Sequence, residues 1–389
     1  MKRLILGAIA VAVVAALTPA TRANALVAFT VSVFDGAPLC GVAPGRVAAD
    51  DGVLKVATFN LLHSETDDGD ISLGERLPLI AEAIVTSGAD MVGAQEVTAN
   101  VDFDAKSEYP QKHGLVAQRL AAMLSARSGE RWSWCFSRSN PHVPLTPDLN
   151  RGGGNPLDDL AAAMGNFPDG GSFAEGVAVF SRYPILQSRY RRMLPRAYEA
   201  AGCLRVDPFC PLDATFDSRQ VLWARARTPQ GYVDLFTTHL AHGLTNLSPL
   251  SQQLQVRQAI AIANKWAADD SVPDFLVGDF NSTPNSAAIR TAAAGGFYDT
   301  YRVAGGTECG QRGDAGCSGN PKAGEEVFTK TNVRPMDERI DYVLARARRG
   351  CSLRVPSSRR LADVATKRAD GRFIWPSDHY AFVSTVGCA

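Results

Sequence analysis

Residues 275–286 read Phe-Leu-Val-Gly-Asp-Phe-Asn-Ser-Thr-Pro-Asn-Ser, and this stretch decides the fold assignment. An apolar strand here leads into a turn that carries an acid, Asp279, and an amide, Asn281, two residues apart. Side chains at positions i and i+2 of an extended backbone share a face, so we expect both groups to reach one phosphate or one hard metal ion. Asp, Asn, Ser and Pro are also ordinary turn residues, so this segment alone is compatible with a turn that has no chemistry.

Other segments along the chain combine an apolar strand with a polar residue that can bind a metal or transfer a proton. These segments are residues 53–60, 90–97, 232–242, 339–346 and 376–383, and their polar residues are Asn60, Glu96, His239, Asp341, Asp378 and His379. A carboxylate at the end of a buried strand, as at Glu96, costs free energy unless it is paired or bound to a cation. The repetition indicates one polar site built from several strands.

Six short motifs carry a resemblance to a known family. They are Phe59-Asn60, Gln95-Glu96, Thr238-His239, Gly278-Asp279-Phe280-Asn281, Arg339-Ile340-Asp341-Tyr342 and Ser377-Asp378-His379. In this order the sequence resembles the endonuclease/exonuclease/phosphatase family, which includes deoxyribonuclease I, neutral sphingomyelinases and inositol polyphosphate 5-phosphatases. The resemblance runs from about residue 53 to the C-terminus. It implies an α/β (α+β) four-layer sandwich, with two packed, mostly antiparallel sheets flanked by helices.

The resemblance and the chemistry of phosphodiester hydrolysis together suggest a metal site and a base. Glu96 and Asn60, with Asp378 as a third contact, are expected to hold Mg²⁺ or Mn²⁺, with Ca²⁺ as a further candidate, because Mg²⁺ prefers a few oxygen ligands and water. His379 is expected to be the general base toward water. Asp341 would orient it, since a carboxylate on the far ring nitrogen sets the tautomer and raises the basicity of the imidazole.

The remaining roles follow from the resemblance alone. Asp279 and Asn281 would position the phosphate and the nucleophile, and His239 would lie across the scissile group. Glu175 matches the carboxylate that pairs with that histidine in the deoxyribonucleases. Arg219 matches an arginine that contacts phosphate, although a charge on an edge strand is an equal alternative for it.

Composition limits the partners of the chain. The 389 residues include 40 Lys and Arg and 40 Asp and Glu, so no overall charge attracts polyanions. Basic clusters at residues 189–196 and 346–349 favour an anionic polymer or a membrane surface locally. With 46% hydrophobic residues the chain can build a large core. We predict one domain over residues 53–389, preceded by an N-terminal extension over residues 26–52.

The first 25 residues are typical of a signal peptide. Lys2-Arg3 precedes an apolar run from Leu4 to Leu17, and Ala23-Asn24-Ala25 offers a cleavage site, so we expect secretion after cleavage behind Ala25. Eight cysteines agree with an oxidising destination. Cys203 with Cys210 and Cys309 with Cys317 are expected to close short loops. The pairing of the other four stays open, and we favour Cys40 with Cys135 and Cys351 with Cys388.

Periodicity predicts three amphipathic helices, over residues 73–87, 114–128 and 249–269. Further strands are predicted near residues 131–136, 175–182, 218–227 and 231–238. Segments 137–172, 190–217 and 301–338 are predicted to interrupt this scaffold as loops that govern substrate choice.

The predicted function is that of a secreted, divalent-metal-dependent phosphoesterase. Its expected substrate is a phosphodiester, in nucleic acid or in a phospholipid headgroup, hydrolysed by water that His379 activates. No obligate protein partner is evident, and a monomer is expected. The alternatives are a catalytically idle binding module on the same sandwich and a phosphomonoesterase acting on sugar or inositol phosphates, because one fold hosts several functions.

Overall fold

The structure is a computed structural model, and it describes most of the chain. The described residues are 38–41, 52–62, 73–99, 115–141, 174–193, 219–242, 248–267, 273–310, 313–319, 327–334, 336–348 and 350–388. Cys203 and Cys210, the predicted signal peptide, and residues 142–172 and 194–217 of the predicted loops lie outside these ranges.

Five helices lie in the described residues. They are α1 (Leu73–Ser87), α2 (Val116–Ser128), α3 (Ser248–Trp266), α4 (Ala287–Ala294) and α5 (Thr300–Val303). The apolar positions of α1 and α2 recur at helical spacing, and each helix ends before a glycine in the left-handed conformation, Gly88 or Gly129. At the start of α4, the Ser286 hydroxyl accepts a hydrogen bond from the backbone N–H of Ile289, as helix N-caps do.

Sixteen strands form three sheets in the described residues. They are β1 (Leu39–Gly41), β2 (Val53–Asn60), β3 (Met91–Ala99), β4 (Ser133–Pro141), β5 (Ala174–Ser181), β6 (Ile185–Arg192), β7 (Gln220–Thr228), β8 (Gly231–His239), β9 (Asp274–Asp279), β10 (Tyr298–Asp299), β11 (Phe328–Thr329), β12 (Asp341–Arg346), β13 (Leu353–Leu361), β14 (Thr366–Lys367), β15 (Phe373–Ile374) and β16 (Ala381–Cys388).

Two large sheets form the inner layers. The seven-stranded sheet has the order β1-β4-β5-β3-β2-β16-β13, and the six-stranded sheet has the order β10-β12-β9-β8-β7-β6. Only the pairs β2 with β3 and β8 with β9 are parallel among the described strands. The small third sheet, β11-β15-β14, lies outside both.

Three apolar clusters separate four layers. One cluster packs α1 and α2 on the seven-stranded sheet, a second lies between the two sheets, and a third packs α3 and α4 on the six-stranded sheet. The sandwich predicted from the sequence is therefore confirmed.

Polar side chains also join the two sheets. The Gln95 side chain donates to the hydroxyl of Thr237 at 2.9 Å, and the Gln220 side chain donates to the carbonyl of Ser137 at 2.6 Å. All four residues are almost completely buried, so each bond satisfies groups that water cannot reach. These bonds hold the sheets in one alignment.

The described residues contain three disulfides, and these have the predicted pairings: Cys40–Cys135, Cys309–Cys317 and Cys351–Cys388. Disulfides form and persist in oxidising compartments, so they indicate that the protein folds in one.

Within the described residues, no helix combines the length and the apolar character that a bilayer span requires.

Several boundaries differ from the predictions. The first residues of two predicted loops belong to strands, because β4 continues to Pro141 and β6 continues to Arg192. The polar residues of the last two motifs were expected to end their strands, and they do not. Asp341 begins β12, and Asp378 with His379 precedes β16, because an antiparallel strand brings its start to the edge where its neighbour ends.

Candidate active site

The candidate site lies at one edge of the sandwich, where strand termini from both sheets meet. Asn60, His239 and Asp279 are the last residues of β2, β8 and β9. Parallel register places His239 opposite Asp279, and antiparallel register places Asp341 opposite Asp279. The topology thus brings residues that are up to 319 positions apart in sequence (Asn60 to His379) into one cluster.

Asp279 is the centre of this cluster. Its Oδ2 accepts from the Asn60 amide at 3.1 Å and lies 3.6 Å from Nε2 of His239 and 3.8 Å from Nε2 of His379. Burial opposes ionisation of this carboxyl, but the two histidines and the hydrogen bonds from Asn281 and Asn60 outweigh it and lower its pKa. Asp279 is therefore an anion held between two imidazole rings.

Asn281 reaches the site by a different route from the predicted one. It does not lie on the strand with Asp279, because β9 ends at Asp279 and Asn281 has a left-handed backbone, with φ of 47°. Its N–H donates to Asp279 Oδ1 at 2.8 Å, which is an Asx-turn. The turn brings its side-chain amide to 3.1 Å from Nε2 of His239 and 3.1 Å from the carbonyl of Leu240.

His379 and Asp341 form a buried dyad. Nδ1 of His379 is 2.9 Å from Oδ2 of Asp341, and Asp341 is 1% exposed. Burial alone would lower the pKa of His379, but the carboxylates of Asp341, Asp378 and Asp279 raise it well above its usual value. Asp341 engages Nδ1 of His379, so the other ring nitrogen, Nε2, faces Asp279.

His239 has a carboxylate partner of its own. Its Nδ1 lies 3.6 Å from Oε1 of Glu175, which is a charge contact and no hydrogen bond. Nη1 of Arg219 lies 4.0 Å from the same oxygen. All three side chains are largely buried, so this group of residues extends the polar site across β5, β7 and β8.

The residues predicted to bind a metal lie beside Asp279. The Asn60 amide nitrogen donates to Oε1 of Glu96 at 2.8 Å, and the Asn60 oxygen accepts from the Leu62 N–H at 3.0 Å. Glu96 lies at an irregularity in the β3–β5 register and has φ of 54°, which directs its half-buried side chain out of the regular pleat. Non-glycine residues held in this conformation are concentrated at functional sites.

Asp378 joins this group through its neighbour. The Ser377 hydroxyl donates to the Asn60 carbonyl at 2.7 Å, and the same oxygen lies 3.2 Å from Oδ1 of Asp378. Glu96 contacts the Asn60 side chain and Asp378 contacts the serine bound to the Asn60 backbone, and carboxylate oxygens of this kind suit a hard divalent cation. Asn60 has only one free lone pair on its oxygen, so its role as a ligand stays a prediction.

A second group of side chains could also bind a cation. One ligand atom each of Asp279, Asp341 and His379 lies within 4.8 Å of the others. The same three residues form the proposed general-base cluster, so a cation there would compete with proton transfer.

Sequence reasoning missed Arg76, which holds the predicted metal-binding segments together. Its guanidinium donates to the carbonyls of Leu61, Leu62 and Pro376 at 2.7, 3.2 and 3.1 Å. Complete burial lowers its pKa to about 10, opposed by the charges of Asp378 and Glu96. A signal was present in the sequence, because Arg76 lies on the apolar stripe of α1, three residues after Leu73, where a cation needs buried partners.

Comparisons with known proteins agree with this architecture. A family model described as "Endonuclease/Exonuclease/phosphatase family" matches residues 57–379. A search of curated proteins finds no match.

Solved structures with the same fold share little sequence with the chain. An endonuclease/exonuclease/phosphatase from Beutenbergia cavernae DSM 12333 is 20% identical, with a TM-score of 0.53, over 87% of this chain and 72% of that one. A family protein from Bacteroides thetaiotaomicron is 15% identical, with a TM-score of 0.55, over 86% and 94%. A mannosyl-6-phosphatase from Bacteroides thetaiotaomicron VPI-5482 is 16% identical, with a TM-score of 0.52, over 86% and 99%.

At these identities the likeness to solved structures shows the fold alone, whereas the family model spans most of the chain and includes every motif at the strand termini. The chain therefore belongs to the endonuclease/exonuclease/phosphatase family, a family of phosphoester hydrolases that typically depend on a divalent metal.

Proposed function

We propose that the protein is a secreted, divalent-metal-dependent phosphodiesterase in which His379 activates the attacking water. The observation that carries this proposal is the dyad, with His379 Nδ1 at 2.9 Å from Asp341 and Nε2 directed at Asp279. A general base needs one ring nitrogen held and the other free to take a proton. An idle binding module would have no need for this buried and electrostatically costly arrangement.

The proposed reaction is a direct displacement by water. Nε2 of His379 takes a proton from water, the water oxygen forms a bond to phosphorus, and the ester P–O bond breaks with its electrons on the leaving oxygen. That oxygen then takes up a proton. The Asn281 amide and His239 would position the phosphate, and Arg219 would contact one of its oxygens.

Glu96 and Asp378 would hold the cation, with Asn60 orienting Glu96 or contributing its oxygen. A bound divalent cation would neutralise charge on the phosphate oxygens and stabilise the leaving oxygen. Magnesium is the first candidate, because the donors are all oxygens.

Metal dependence gives the first test. We expect EDTA to abolish hydrolysis of bis(p-nitrophenyl) phosphate and added Mg²⁺ to restore it, and Glu96→Gln to lower activity by about 100-fold or more, as loss of electrostatic stabilisation does. Glu82→Gln is the matched control, because Glu82 is an exposed carboxylate on α1. Full activity in EDTA, with Glu96→Gln equal to wild type, would remove the metal from the mechanism.

A substrate panel distinguishes the remaining alternatives. We propose a phosphodiester in nucleic acid or in a phospholipid headgroup, which duplex DNA, RNA and sphingomyelin vesicles test separately. The similar structure described as a mannosyl-6-phosphatase supports a second candidate, a phosphomonoesterase acting on sugar phosphates. Hydrolysis of mannose 6-phosphate with no cleavage of any diester would favour that candidate.

The proposal of secretion rests on the N-terminal segment and on the disulfides. Mass spectrometry of protein recovered from culture medium should find an N-terminus at residue 26. An intracellular product that begins at Met1 would contradict it.

A further inference from the structure

The two members of the dyad come from different sheets. Asp341 begins β12 in the six-stranded sheet, whereas His379 precedes β16 in the seven-stranded sheet. Their 2.9 Å contact therefore depends on how the two sheets are aligned at this edge. A shift of one sheet by 1 Å would separate a general base from the group that orients it, and misplacements of that size can cost about 100-fold in rate.

One residue contacts both sides of this junction. The Ser318 hydroxyl accepts from the backbone N–H groups of Ile340 and Asp341, each at 3.1 Å. The carbonyl of Ser318 accepts from the N–H of Tyr380, next to His379, at 2.8 Å. Ser318 is completely buried, so neither contact has water as a substitute.

A disulfide fixes the position of Ser318. Its neighbour Cys317 is completely buried and is bonded to Cys309, eight residues earlier. Glu308, in turn, binds the buried Arg339, so the far end of the loop is anchored two residues before Asp341. The Cys309–Cys317 disulfide closes this loop, and the Glu308–Arg339 ion pair attaches it to the segment that leads into β12.

Gly319, the residue after Ser318, lies close to the dyad. A Cβ atom on Gly319 would lie 2.7 Å from Cδ1 of Ile340 and 3.6 Å from Cε1 of His379. The backbone of this loop therefore packs directly against the dyad, and a displaced loop would displace the ring of His379.

We propose that Ser318 is a positioning residue for the Asp341–His379 dyad, and that the Cys309–Cys317 disulfide maintains its position, so that reduction of this one disulfide lowers the catalytic rate. This inference rests on the proposed function, since it concerns the same site. It goes further because it makes hydrolysis depend on whether the Cys309–Cys317 disulfide is oxidised or reduced, while the rest of the fold stays intact.

The test compares two buried serines. We expect Ser318→Ala to lower kcat by about 10–100-fold with little change in KM, which is the usual effect of removing a group that orients a site. Ser384→Ala is the matched control, because Ser384 is also completely buried and binds Thr300 and Ser358 in the middle of β16. We expect Ser384→Ala to lower stability and leave kcat within about twofold.

The disulfides offer a second matched pair. We expect Cys309→Ala with Cys317→Ala to reproduce the loss of kcat. Cys351→Ala with Cys388→Ala should lower the melting temperature alone, because Cys388 lies at the far end of β16, about 24 Å from the site at roughly 3.4 Å per residue. Equal kcat losses in both pairs would overturn the proposal.

Amide hydrogen exchange measured by NMR gives a readout that needs no substrate. Faster exchange at Ile340, Asp341 and Tyr380 in Ser318→Ala, with the amides of β8 unchanged, supports the positioning role. Unchanged exchange at all three amides, or equally faster exchange throughout the protein, would contradict it. If the wild type hydrolyses nothing in the panel, the proposed function fails, and the exchange data still decide whether Ser318 holds the dyad.

Discussion

Asp279 shows how much chemistry one residue can organise when it is buried among histidines. It contacts Asn60 and lies within 4 Å of both His239 and His379. An anion in this position is one of the charges that raise the pKa of His379, because it stabilises the protonated ring. Proton transfer at His379 is therefore set by its neighbours as much as by the ring itself.

The pH dependence of hydrolysis should report this environment. His379 acts as a base only when it is neutral, and its pKa is raised, so the rate should fall as the pH drops through a value above 6.5, the usual histidine pKa. Asp341→Asn removes one of the carboxylates that raise this pKa, so the acidic limb should move to lower pH while the maximal rate falls by about 10²–10⁴-fold. The profile of kcat against pH measures both effects.

Two further variants complete that experiment. His379→Ala should abolish the acidic limb of the profile of kcat against pH. Asp363→Asn should leave this profile unchanged, because Asp363 is an exposed carboxylate paired with Arg360. A limb that stays at the same pH in Asp341→Asn would show that another group controls it, since coupled groups share an observed midpoint.

The sequence pointed to the residues that the structure brings together at the candidate site, but not to all of the bonds that hold them. Asn60, Glu96 and Asp279 were recognisable because short motifs end in metal-competent side chains. Ser318 was not, because it acts through backbone N–H groups of residues more than 20 positions away, and no side-chain pattern records such contacts.

Helix α3 illustrates the same limit at the scale of an element. Its apolar stripe was visible in the sequence, but its polar contacts to the site were not. The Gln252 side chain donates to the carbonyls of Ala241 and Asn281 at 2.9 and 2.7 Å and accepts from the Ser282 hydroxyl at 2.7 Å. One glutamine thus links the turn after His239 to the turn that carries Asn281.

Neighbouring glutamines allow a sharp test of this link. We expect Gln252→Ala to lower kcat/KM by about 10-fold or more, because Asn281 would lose a buried partner at its backbone and shift. Gln253→Ala should stay within twofold of wild type, since Gln253 is half-buried and bonds Thr291, on α4. Steady-state kinetics on a verified substrate decide the matter, and equal effects of both variants would exclude a specific role for Gln252.

The bounds of a helix or strand were predictable where its apolar periodicity stopped at a residue that typically ends such an element. Strand β2 and helix α1 have the predicted bounds, because an alternating or helical apolar pattern ends at a recognisable residue in each. Strand β6 was not predicted, because its exposed Arg189 and Arg191 lie on an edge strand, where one face meets water and the apolar signal is weak.

The arginines of residues 346–349 also gave a misleading basic cluster, since Arg346 and Arg348 are bound to buried Asp274.

At the scale of the whole molecule, the site depends on two sheets packed face to face. They approach closely beside Gly93 on β3, where a Cβ atom would lie 2.3 Å from Cγ2 of Val277 and 2.8 Å from Oγ1 of Thr237. Val277 is on β9, the strand that ends at Asp279, so spacing between the sheets bears directly on the site.

Substitution at this glycine should therefore affect both stability and activity. We expect Gly93→Ala to lower the free energy of unfolding by about 1–3 kcal/mol, because the neighbouring side chains must move to admit the methyl group. Gly310→Ala is the control, since its Cβ would come no closer than 3.8 Å to its nearest neighbour, Asp314. Urea unfolding measures the difference, and equal stabilities of the two variants would disprove close packing at Gly93.

The place of β16 in the sheet has a consequence for the order in which the molecule becomes active. This strand follows the other described strands along the sequence, yet it lies between β2 and β13 in the seven-stranded sheet, and the proposed general base, His379, lies two residues before it. A chain in which residues 379–388 have not yet been made lacks both His379 and the strand that joins β13 to the rest of the sheet. We therefore expect no hydrolysis from chains whose synthesis stops before His379.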